Sequence, residues 1–132
     1  MQDNSIVTVK EENNYIFCYT WQDAVRDGTF IDITNTAKSH GFTIPVAITS
    51  GLYHQHIEVK DSTHYTKANL TRILYNLLQA IRDAKTNDEA DDNFIAFSVT
   101  FNDELVDIWA TIEGKSPQDP SPVMTIYMPC ER

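Results

Sequence analysis

Between Leu70 and Ile81 the apolar residues fall at three- and four-residue spacing: Leu70, Ile73, Leu74, Leu77, Leu78 and Ile81. That period gathers them into one stripe of a helix. Arg72, Asn76, Gln79, Arg82 and Asp83 fall largely on other faces. The pattern predicts a helix over Leu70–Ala84, capped by Thr66 or Asn69. Further along the chain the period changes to two. Ile95, Phe97, Val99 and Phe101 alternate with other residues, and so do Val106, Ile108, Ala110 and Ile112. Both runs read as strands. Val123 to Met128 is a third. Asn102-Asp103 supplies a tight turn between the first two, and the Pro- and Ser-bearing stretch Gly114–Pro122 reads as a loop. Three consecutive strands with short connections predict an antiparallel meander. The long helix would bury its stripe against one face of it, an α+β layer architecture in a single domain over residues 1–132.

The N-terminal half is built of shorter pieces. Ile6–Val9 and Tyr15–Cys18 read as strands. Thr20 is placed to cap a short helix through Trp21, Ala24 and Val25. Gly28 can end that helix in the left-handed conformation. Phe30–Ile33 is a short extended run. Thr34 or Asn35 can cap a second short helix, which Gly41 ends. Phe42 then takes the position where a hydrophobic contact often closes a helix C-terminus. Pro45 holds Ile44 extended, Val46-Ala47-Ile48 reads as a strand, and Thr49 or Ser50 opens another helical turn.

The pattern DG-x-x-I-D-I-T-x-x-A-x-x-x-G-F-x-x-P-V-A-I-T over Asp27–Thr49 resembles a domain family of unknown function carried on bacterial plasmids and phages. The amphipathic Leu70–Ala84 segment and the Pro122–Pro129 strand extend the resemblance over roughly residues 15–130. It implies a mobile-element setting. It carries no catalytic residue with it.

Composition bounds the function. The chain has 132 residues, of which 42% are hydrophobic, enough to bury a core and too many for a disordered chain. No apolar run reaches the length of a membrane span. The polar N-terminus lacks a signal-peptide layout, so the cytoplasm is the expected location and no membrane partner is expected. The formal net charge is −9. From Asp83 to Asp119 ten acids stand against Lys85 and Lys115, which leaves the rest of the chain nearly neutral. Nucleic-acid binders show the opposite footprint, so direct nucleic-acid binding is not expected. The charge suits a protein partner with a basic surface. The candidate binding residues are Asp88, Glu89, Asp91, Asp92, Asp103, Glu104 and Asp107. The plainer reading of the same residues is a solvated face that keeps the chain soluble.

Catalytic patterns are sparse. The four glycines are well separated and form no phosphate loop, and there is no Gly-x-Ser-x-Gly elbow. Cys18 sits in an apolar run and reads as a small core residue, while Cys130 lies near the C-terminus. His54, His56 and His64 are the alternative site, for a small enzyme or a metal. On a strand His54 and His56 would share a face; on a helix they would not. The spacing lacks the paired ligands of a structural zinc site. No cofactor, no metal and no catalytic residue is expected, and the favoured class is a non-enzymatic binding protein.

Overall fold

The structure is a computed structural model and describes residues 19–86 and 93–131. The expected strands at Ile6–Val9 and Tyr15–Cys18, and the acids Asp88, Glu89, Asp91 and Asp92, lie outside the described residues. The element order is α1 (Trp21–Asp27), β1 (Phe30–Asp32), α2 (Thr34–Lys38), β2 (Val46–Thr49), α3 (Ser50–Leu52), a π-helical turn (Tyr53–Ile57), α4 (Thr63–Thr86), β3 (Phe94–Phe101), β4 (Glu104–Ser116), β5 (Asp119–Tyr127) and a 3-10 turn (Pro129–Glu131).

The short N-terminal elements follow their local instructions. Thr20 caps α1 in a reciprocal box: its hydroxyl accepts from the Asp23 N–H, and its own N–H donates to the Asp23 carboxylate. Gly28 closes α1 at φ 88°. At the end of α2 the Phe42 N–H reaches Ala37 O and the Gly41 N–H reaches Lys38 O. That double bond is a Schellman closure, with Gly41 at φ 97°. Phe42 and Ala37 are both buried in the main core. The start of α2 departs from expectation. Ile33 occupies the cap position without a side-chain bond, and the Asp32 carboxylate accepts from the Thr34 N–H at 2.9 Å instead.

One five-stranded sheet has the order β1-β2-β5-β4-β3. The β2–β5 pair is parallel and the other pairs are antiparallel. The expected three-strand meander is therefore its C-terminal part and not the whole. The β2–β5 pairing joins Val46 to Met124, a contact too distant in sequence for local periodicity to reveal. The expected Gly114–Pro122 loop is also replaced by strand: β4 runs to Ser116, β5 starts at Asp119, and Gly114 pairs with Pro122. The prolines are tolerated for a geometric reason. The Met124 N–H points away from β4, to Pro45 O. Position 122, two residues back, therefore turns its nitrogen away from β4 as well, and Pro122 removes no bond from that ladder, while Pro120 sits where the register shifts between the Gly114 and Ser116 pairings.

Alternation divides the sheet into two faces. Val46, Ile48, Val99, Phe101, Val106, Ile108, Ala110, Met124 and Ile126 meet Leu70, Ile73, Leu74 and Leu77 of α4 in the main core. The helix begins at Thr63, earlier than the stripe suggests, because Ser62 caps it by accepting from the Tyr65 N–H. It runs antiparallel to β3: Arg72 reaches Thr100 O and Asn76 reaches Ser98 O, both at 3.3 Å. On the opposite face α1 packs Trp21 on Ala47 and Val123, with Val25 and Phe30 beside them.

Candidate functional site

The register of β3, β4 and β5 decides which side chains share the face opposite α4. Ser98 pairs with Asp107, Ala96 with Trp109, and Trp109 with Tyr127. Cross-strand partners lie on the same side of a sheet. Because Val106, Ile108 and Ala110 enter the core, Leu105, Asp107, Trp109, Thr111 and Glu113 take the other side. This face carries a row of rings. Phe94 meets Trp109 edge-on at 5.3 Å between centroids, and Trp109 meets Tyr127 edge-on at 6.2 Å. Edge-to-face contacts of this kind hold ring orientation. All three rings are half-buried, whereas Leu105 is 68% exposed. Asp107 stands next to the rings, two positions from Trp109, and its carboxylate accepts from the Ser98 hydroxyl at 2.9 Å. Glu113 is exposed on the same face at the far end of β4.

Three of the expected acidic residues, Asp103, Glu104 and Asp107, lie among the described residues. Asp103 sits in the β3–β4 turn. Asn102 has φ 49° and Asp103 φ 68°, the two left-handed residues of a type I′ hairpin. Glu104 follows opposite Phe101, on the α4 side of the sheet. Of these three, Asp107 lies on the aromatic face. Asp88, Glu89, Asp91 and Asp92 lie outside the described residues.

The histidines also part company. His54 and His56 lie in the π-helical turn, where residues two apart do not share a face. His54 Nδ1 contacts Glu58 Oε1 at 2.8 Å. His56 stacks on Phe101 with centroids 5.8 Å apart. His64, on the first turn of α4, meets the edge of Tyr65. Among the described residues no group of three His, Cys, Asp or Glu side chains is placed to hold a metal. Cys18 is outside the described residues, and Cys130 is exposed in the C-terminal turn.

Near α1 a cavity of about 430 Å³ is lined by Tyr19, Trp21, Phe30, Glu113 and Lys115. Three carboxyls on the surface are held below the usual range. The Thr20 backbone N–H does this to Asp23, helped by the Arg26 guanidinium. The Tyr19 hydroxyl and Thr29 do it to Asp27, and Ser121 does it to Asp119. The bonds to Asp23 and Asp119 form a helix cap and a turn, while the Asp27 carboxylate in turn holds the Tyr19 hydroxyl above its usual range.

The aromatic row escaped the sequence reading, although its signal was present. If the even positions of β4 form the core, then Asp107, Trp109 and Glu113 must share the other face. The model of a family of unknown function matches residues 7–132. The chain belongs to that family, DUF6573. No curated protein and no solved structure matches it. Membership therefore ties this chain to a family and leaves its chemistry to be argued from the residues. Among the described residues no helix is long and apolar enough to cross a membrane.

Proposed function

We propose that this DUF6573 chain is a non-catalytic binding protein of a plasmid or phage. It holds a basic surface of a host defence or nucleic-acid-handling complex and thereby inhibits that complex. The observation that carries the reading is the face on which Asp107 stands beside the Phe94–Trp109–Tyr127 row. Aromatic faces attract guanidinium and ammonium groups, Trp most strongly, and a neighbouring carboxylate gives such a cation a charged partner. Aromatic residues are favoured at protein interfaces. The net charge of −9 adds long-range attraction for the same kind of partner. The mobile-element setting rests on the resemblance of the Asp27–Thr49 pattern, and the inhibitory role follows from that setting.

The test is affinity capture from the source cells with wild-type chain, with Asp107→Lys, and with a variant in which Asp88, Glu89, Asp91 and Asp92 become Asn or Gln. The expected result is a basic partner that wild type retains, that rising salt releases, and that Asp107→Lys fails to hold. The four-residue variant is expected to slow association, since charge attraction acts mainly on encounter. A partner whose affinity ignores salt and both sets of changes would leave the carboxylates as solubilising surface.

A further inference from the structure

β3 is the last strand on its side of the sheet, so one of its edges faces no other strand. Edge strands are commonly guarded by charge, proline or a bulge, because their backbone groups accept a further strand. β3 has none of these. Its sequence, FIAFSVTF, holds no charged residue and no proline, and its register with β4 runs without a shift. Odd-numbered positions turn their backbone groups to β4, as Asn93 O does in accepting from the Ile112 N–H. Phe94, Ala96, Ser98 and Thr100 turn theirs outward.

The guard comes from α4, and it stops halfway along the strand. Arg72 donates to Thr100 O and Asn76 to Ser98 O, both at 3.3 Å. Four residues of helix advance about 6 Å and two residues of strand about 7 Å. The same step therefore brings Ala80 level with Ala96 and Ala84 level with Phe94, and a methyl group bonds neither. Among the described residues nothing bonds the outward N–H and C=O groups of Phe94 and Ala96.

This open stretch adjoins the aromatic row. Ala96 pairs with Trp109, and Ser98 with Asp107. In an antiparallel pair, residues that exchange backbone bonds carry their side chains on one face. Residues of an added strand bonded to Phe94 and Ala96 would thus project on the face opposite α4. There the small Ala96 side chain alone separates the added strand from Trp109. A long cationic side chain at that position would cross it to the indole, with the Asp107 carboxylate one pair along.

We infer that β3 receives an antiparallel strand along Phe94–Ser98, an extended segment of the partner with arginine at alternate positions. The inference rests on the reading that the Asp107–Trp109 face binds a basic protein. The net charge of −9 opposes a second copy of this chain in that place and favours a basic segment.

The test is an NMR titration of the full chain with two end-capped octapeptides. One alternates arginine and threonine; the other is the same peptide N-methylated at every arginine. Methylation keeps the charge and removes the donors that the Phe94 and Ala96 carbonyls need when arginine faces the rings. The first peptide is expected to give saturable shifts at Phe94, Ala96 and the Trp109 indole, and to slow exchange of the Phe94 and Ala96 amides. The methylated peptide should bind about tenfold more weakly or worse, having lost backbone bonds. Ala96→Pro should weaken the first peptide likewise. The Ala96 nitrogen points outward, so this variant keeps the β3–β4 ladder. Equal binding of both peptides around Trp109, with exchange at Phe94 and Ala96 unchanged, would overturn strand addition and leave the basic-face reading standing. No binding of either peptide, the Trp109 indole unmoved, would overturn both. Equal protection of Phe94 and Ala96 by a glutamate–threonine octapeptide would overturn the basic occupant.

Discussion

Thr125 illustrates how a single residue can sit against the logic of its surroundings. It lies on β5 between Ala47 and Thr111, is 4% exposed, and its hydroxyl has no hydrogen-bond partner among the described residues. The Trp21 Nε1–H, on the same face, is likewise buried without a partner among the described residues. A buried unpaired hydroxyl costs about 1–3 kcal/mol relative to an apolar group of the same shape. Thr125→Val should therefore stabilise the chain by about 1 kcal/mol and raise Tm by about 4 °C. A thermal melt checks this, and a lower Tm would show that the hydroxyl is satisfied in solution. Asp23 and Asp27 make a second residue-scale prediction. Their folded carboxyls are held below the ordinary Asp value by the Thr20 N–H and the Tyr19 hydroxyl respectively. Such groups stabilise the fold above the unfolded pKa and lose that contribution as pH falls through the folded value. Amide exchange of Ala24 and Gly28 should therefore speed up, relative to the sheet, as pH drops below the usual carboxylate range. An α1 that keeps full protection in acid would contradict this role for the cap.

At the scale of elements, what local sequence dictates was legible and what distant pairing dictates was not. Thr20, Gly28, Gly41 and the Asn102-Asp103 pair specify their turns through their own backbone preferences. The stripe Leu70–Leu77 specifies a buried helix face through its period. The parallel β2–β5 pairing has no such local signature, because residues more than seventy positions apart choose each other by the core they complete. Gly114–Pro122 misled for a related reason. Proline argues against a strand only where its nitrogen would face a partner, and register decides that. The outer edge of β3 shows what packing adds. Arg72 and Asn76 of α4 bond the carbonyls of Thr100 and Ser98, groups that point away from β4 and would otherwise template a further strand. Arg72→Ala with Asn76→Ala should raise aggregation, read by light scattering at elevated concentration. The melting temperature should fall by no more than about 8 °C, since each exposed side-chain bond contributes at most about 1 kcal/mol. Unchanged scattering would mean that the edge is guarded by other means.

At the scale of the whole molecule, the described acids of β4 and its hairpin divide between the faces of the sheet. Glu104 lies on the α4 side, opposite Phe101. Asp107 and Glu113 lie on the other face, Asp107 beside Trp109 and Glu113 near Trp21 and Phe30. The candidate site was half legible: the carboxylates stood out by charge, while the rings were hidden because strand residues of both faces alternate in one run. The central claim is that the Asp107–Trp109 face receives a basic partner. The most direct measurement is an NMR titration of the chain with an oligoarginine peptide. Oligoglutamate serves as control, and the shifts are mapped residue by residue. The account predicts saturable perturbation centred on the Trp109 indole N–H, Ser98, Leu105 and Asp107, abolished by Asp107→Lys. Shifts spread over all exposed carboxylates alike, with the Trp109 indole unmoved, would contradict it.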